Sequence, residues 1–217
     1  MTEGISPQQE NSANGEGQTS FNLMQTVKRR LYAMRNGALA AQMRRGGLEY
    51  RINFGLNIPQ IKEIAADILQ MGLSRNELLE LAHALWKNEN TRESRLTAPM
   101  IFPPEEMTEP LATEWLKQAQ TTEIADHLCH SLMRKLPYAE ALASSILADS
   151  TASDINRYTA LRLVMNLLVS GRITPASARK MAEAEQQRKT RLTTALAASI
   201  LCEVEFMEEE PSTDQNR

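Results

Sequence analysis

The side chains that could do chemistry fall into two groups. The first is acidic and imidazole-bearing: Glu123, Asp126, His127 and His130 follow Thr121 and Thr122, either of which can cap a helix. Glu123, His127 and His130 then recur at i, i+4 and i+7 and share one face. Zinc normally takes at least three protein ligands, and no fourth donor accompanies these three, so no metal and no cofactor is expected. The plain reading of the stripe is a solvated helix face, and Asp126 lies beside it.

The second group is basic. Lys28, Arg29, Arg30, Arg35, Arg44, Arg45 and Arg51 have only Glu49 among them. A local field of that sign attracts phosphates, and arginine offers forked donors to them. The plain alternative is a set of helix faces whose Arg stems cover apolar surface. A second set, Arg179, Lys180, Arg188, Lys189 and Arg191, is interleaved with Glu183 and Glu185 and reads as ion-paired helix surface. Cys129 and Cys202 match no redox or metal spacing and are expected as two free, buried thiols. Gly37, Gly46, Gly47 and Gly55 form no phosphate-binding pattern after a strand and are turn and cap glycines. Trp86 and Trp115 sit at apolar helical positions and are expected in the core.

The elements that must position these residues are helices. The chain has 217 residues and a formal charge of −3, with 10 aromatic residues counting Phe 4, Tyr 4 and Trp 2. It is rich in good helix formers, and no β-branched run bounded by turn residues suggests a sheet. Residues 1–19 are polar and predicted as a disordered arm, with no apolar core of a signal peptide in the first ten. A first helix starts near Ser20 and stops at Asn36-Gly37, and a short one runs from Ala38 to Arg45. Asn57 caps the next, with Pro59 in its first turn and Ile61, Ile64, Ala65 and Ile68 on its inner face. Ser74 and Glu77 form a capping box for another. Thr91, Met107, Thr121 or Thr122, Tyr138, Ser153 and Thr174-Pro175 start further helices, and the last spans about Lys189 to Phe206. Residues 208–217 read as an acidic flexible tail. With no break in composition, 20–207 is predicted as a single domain. Paired helices recur loosely at the size of HEAT-type repeats, and a compact bundle is the main structural alternative. No apolar run is long enough for a membrane span, and a cytoplasmic protein is expected.

Three segments carry a family resemblance. INFGLNIPQIKEIAADI resembles the F-x-G-[IV]-x-[TI]-P segment of AlkD-like DNA alkylation-repair proteins. Leu85-Trp86 and Glu93, within ALWKNENTRESRLTAPM, resemble the family's L-W and R-E segment. Glu123 to Leu128 falls at the family's signature carboxylate. The resemblance implies an all-α, α-α superhelix of HEAT-like helical hairpin repeats whose concave basic face cradles duplex DNA. It implies excision of alkylated bases, with Asp126 as the catalytic carboxylate that stabilises an oxocarbenium-like sugar. Lys28, Arg29, Arg30, Arg35, Arg44, Arg45, Arg51, Arg157 and Arg162 are then DNA-binding candidates, with Arg157 or Arg162 as the basic residue expected near the next repeat. The family's tryptophan one helical turn before the aspartate is Thr122 here. A non-catalytic member, used as a DNA-structure binder or a protein-interaction scaffold, therefore stays open beside the glycosylase, as does an unrelated helical bundle with a protein partner.

Overall fold

The computed structural model describes residues 22–209, so the arm expected over 1–19 and all of the tail beyond Glu209 lie outside the described residues. The protein is all-α. The described residues form eleven α-helices: α1 (22–33), α2 (Gly37–Arg45), α3 (Ile58–Leu69), α4 (Arg75–Lys87), α5 (Arg92–Ile101), α6 (Glu109–Lys117), α7 (Thr122–Ser131), α8 (Ala139–Ala148), α9 (Asp154–Val169), α10 (Pro175–Arg188) and α11 (Arg191–Glu209). Short 3-10 turns lie at Pro104–Glu106 and Met133–Lys135. Among the described residues no helix is long and apolar enough to cross a membrane. The chain divides into two compact units, joined between Pro103 and Pro104.

The caps set the helix starts, as the sequence predicts. Asn57 accepts from Gln60 N while Gln60 returns a bond to Asn57 N, with Pro59 in the first turn. Ser74 and Glu77 exchange the same pair of bonds. Asn36, Thr121, Ser153 and Thr174 cap α2, α7, α9 and α10. Each such cap satisfies a terminal N–H that the helix cannot pair itself, worth about 1 kcal/mol.

In the first unit α5 is central and packs against α3 and α4. Nine of its ten residues are buried, including Arg92, Glu93, Ser94, Arg95 and Thr97. A helix with that much polar surface inside needs partners for every group. Glu93, with 0% exposure, accepts from the backbone N–H groups of Phe54 (3.2 Å), Gly55 (3.1 Å) and Leu56 (3.3 Å) and from Arg92 Nη1 (3.1 Å). Arg92 Nη1 also donates to Leu56 O at 2.8 Å. Arg95 stacks on the Trp86 ring at 3.8 Å and donates to Trp86 O at 3.0 Å. Thr97 Oγ1 donates back to Glu93 O at 2.8 Å. The extended lead-in is fastened at its other end too: Ile52 and Thr91 form an isolated parallel bridge, with Ile52 O accepting from Arg92 N at 3.2 Å. That bond satisfies the start of α5, whose Thr91 makes no side-chain cap.

Gly55 is required at the crossing. Its φ is +71°, and a Cβ there would stand 2.1 Å from Asn36 O and 2.6 Å from Ala40 N. No side chain fits that approach of the loop to the start of α2. Trp86 is buried in this unit as predicted.

In the second unit α9 is the hub, packed by α6, α7, α8, α10 and α11. Its buried positions run nearly all round it, which is why the sequence shows no single apolar stripe. Trp115 and Cys129 are buried as predicted, whereas Cys202 is exposed, contrary to expectation. Cys202 lies on the outer side of α11, where Ile200 and Val204 take the inward places.

Candidate carboxylate–arginine site on α7 and α9

Asp126 lies in the middle of α7, which Thr121 starts by accepting from Ile124 N at 3.3 Å. Ala125, Leu128 and Cys129 face the core, and packing of α7 on α9 turns Asp126 toward Tyr158 and Arg162. Those two residues are one helical turn apart on α9 and so share a face. Arg162 Nε donates to Asp126 Oδ1 at 2.7 Å and its Nη2 to Oδ2 at 3.1 Å, a two-pronged pair. Tyr158 Oη donates to the same Oδ1 at 2.9 Å. The pair is neither buried nor free in solvent: the Arg162 and Asp126 side chains are 32% and 34% exposed. Arg162 Nη1 has no partner among the described residues.

The surroundings tune this cluster. Burial, then the hydrogen bond to Asp126 and that residue's negative charge, push the Tyr158 phenol up to about 12. It therefore remains a hydrogen-bond donor through the neutral range. Cys129, one turn beyond Asp126 and fully buried, donates to Thr159 O at 3.3 Å. Burial first, and Asp126 second, push its thiol up, so it is no nucleophile.

The two arginines proposed from sequence as the basic partner separate cleanly. Arg162 reaches Asp126. Arg157 does not: it is 2% exposed, and its Nε donates to Glu185 at 2.9 and 3.1 Å. Its Nη1 donates to Asp149 O at 2.8 Å, and its Nη2 to Leu147 O at 2.6 Å and to Glu185. With its donors turned inward, Arg157 has no means of meeting a phosphate, which corrects its place among the DNA-binding candidates. Glu185 is corrected with it, being the buried partner of Arg157 rather than a surface charge; Arg179 pairs instead with Glu208.

The expected polar stripe beside Asp126 is also broken. His127 is buried and its Nε2 lies 3.4 Å from Ser131 Oγ, while His130 is exposed. Among the described residues no group of three or more His, Cys, Asp and Glu side chains could hold a metal ion. Thr122 is exposed. The aromatic side chain bonded to Asp126 is Tyr158, from a different helix. Tyr158 is not among the residues singled out in the sequence above; its spacing of four from Arg162 was the available signal.

The basic cluster of the first unit remains mostly at the surface. Lys28, Arg29, Arg35, Arg44, Arg45 and Arg51 are exposed. Arg30 is paired with Asp67 of α3. Arg44 and Arg45 end α2, where their charge also favours the helix dipole.

No curated protein and no solved structure matches the chain. The family model of the DNA alkylation repair enzymes matches residues 27–159, more than half of the sequence. That span runs from within α1 into the start of α9 and holds the Gly55–Glu93 clasp, and it includes Asp126 and Tyr158 of the open cluster. The chain belongs to the DNA alkylation repair enzyme family.

Proposed function

We propose that the protein binds duplex DNA and excises alkylated bases by hydrolysing the N-glycosidic bond, with Asp126 as the catalytic carboxylate. The observation that carries this reading is the geometry of Asp126: an anionic side chain, one third exposed, held in a fixed orientation by Arg162 and Tyr158. A purine alkylated on a ring nitrogen carries positive charge and leaves with the electrons of its bond to C1′. The sugar is left cationic, and a preorganised carboxylate stabilises that charge as it develops. Water then adds to C1′ and releases a proton to solvent. The free Nη1 of Arg162 suits a backbone phosphate next to the reacting sugar. In the first unit, taken by itself, the exposed Lys28, Arg29, Arg35, Arg44, Arg45 and Arg51 are suited to backbone phosphates. Within each unit helices pack in consecutive pairs, α4 on α5, α8 on α9 and α10 on α11, the kind of hairpin that HEAT-like repeats are built from.

A second reading has its own support. Arg162 offsets the charge of Asp126, and the position one turn before it is a threonine, so the protein can be a DNA-structure binder or interaction scaffold that has lost the reaction. One experiment separates the two. Wild type is incubated with duplex carrying 3-methyladenine or 7-methylguanine, and released base is measured. Release by wild type that falls about 100-fold or more in Asp126→Asn supports the glycosylase. No release, together with duplex binding that weakens steeply with salt, supports the binder.

A further inference from the structure

Tyr32 on α1 is an exposed aromatic side chain, at 57%. Exposure of that size is unexplained by packing, and the ring is not loosely placed. Arg35 lays its guanidinium over the Tyr32 ring at 3.9 Å and ties itself to Tyr32 O through Nη1 at 3.0 Å. Phe54 meets Tyr32 edge-on, with ring centroids 6.5 Å apart. Phe54 is itself fixed, because its carbonyl accepts from Asn36 N at 2.7 Å and its N–H donates to Glu93. Lys28 and Arg29, four and three residues before Tyr32 on α1, share its outer face and are exposed.

The composition of this face selects its ligand. A lone aromatic ring on a helix suits an apolar partner. An aromatic ring stacked by one arginine and flanked by two further cations suits a planar group attached to an anion. The orientation of Arg35 is settled before any ligand arrives, so ordering it costs little at binding. We infer that Tyr32 and Arg35 form a nucleotide platform: an unpaired base stacks on the Tyr32–Arg35 pair while its phosphate meets Arg35, Arg29 or Lys28. In a fully paired duplex the bases are covered by their neighbours, and only the phosphate contacts form. The platform therefore gives this face a preference for DNA with an unstacked, extrahelical nucleotide. This inference rests on the DNA-binding reading above and goes beyond it, since phosphate contacts alone discriminate nothing.

The test compares binding of the full chain to two labelled duplexes, identical except for one extra unpaired thymidine. Wild type is expected to prefer the bulged duplex. Tyr32→Ala loses about tenfold in affinity for the bulged duplex and less than about twofold for the paired one, because base–aromatic stacking contributes only where a base is available. Tyr32→Leu, which keeps an apolar contact with Phe54, shows the same loss, and Tyr32→Phe retains the preference. Arg35→Ala weakens both duplexes and flattens the log–log salt dependence by about 0.9, the share of one phosphate. Thermal unfolding of each variant controls for folding. Equal binding of both duplexes by wild type, or a preference that survives in Tyr32→Ala and Tyr32→Leu, overturns the platform and leaves DNA binding standing. Binding of neither duplex by wild type overturns both.

Discussion

Glu93 in the first unit and Asp126 in the second are each carboxylates paired with an arginine, and their settings are opposite. Glu93 and Arg92 are 0% and 2% exposed, and Glu93 accepts from three consecutive backbone N–H groups besides its arginine. Asp126 and Arg162 are about one third exposed, and among the described residues Asp126 accepts from side chains, those of Arg162 and Tyr158. A carboxylate bound by backbone is part of the chain's path and has no lone pair in reach of a ligand. A carboxylate bound by side chains at a surface is held yet approachable. The first arrangement builds a fold and the second leaves a carboxylate within reach of a ligand, even though both segments carry the family's resemblance.

The comparison breaks first on stability. Glu93→Ala leaves three N–H groups and an arginine without their buried acceptor, and it is expected to destabilise the protein by about 3–5 kcal/mol in denaturant unfolding. Asp126→Ala removes a partly solvated pair and is expected to cost about 1 kcal/mol or less in the same measurement. Equal costs would erase the distinction between clasp and site. A finer distinction lies in Tyr158. Its phenol is raised to about 12 by burial and by Asp126, above the ordinary value of about 10. The native state therefore holds a proton that the unfolded chain gives up, so this contribution to stability is whole below about pH 10 and is lost as pH rises toward 12. In an ultraviolet titration, Asp126→Asn should lower the highest tyrosine transition and Tyr158→Phe should abolish it. A transition near 12 that is untouched in Tyr158→Phe would detach the phenol from the site.

Much of this fold was legible from local chemistry. Ser74 with Glu77, Asn57 with Pro59, and Thr174 with Pro175 are start signals whose physics acts within one turn, and each begins a helix where the sequence predicts it. The segment RESRLTAPMI was not legible in the same way. Nothing local marks its charges as buried: their partners come from residues 54–56 and from Trp86, up to 39 positions away. Arg157 was misread for the same reason: nothing near it announces Glu185, 28 residues on. At the candidate site, Asp126 is singled out in the sequence only by the family resemblance, and its contact with Arg162 and Tyr158 depends on α7 packing against α9. Which of Arg157 and Arg162 meets Asp126 follows from which face of α9 turns toward α7, a matter of packing that the nearly all-round burial of α9 hides from any periodicity.

The clasp on Glu93 has a dynamic consequence. Residues 54–56 have no regular secondary structure, and such segments ordinarily exchange their amide hydrogens quickly through local opening. Here all three amides end on a carboxylate inside α5, so none can open without exposing a buried charge. Phe54, Gly55 and Leu56 should exchange as slowly as the core helices of their unit, marking an irregular turn as one of the last parts of the chain to let water in.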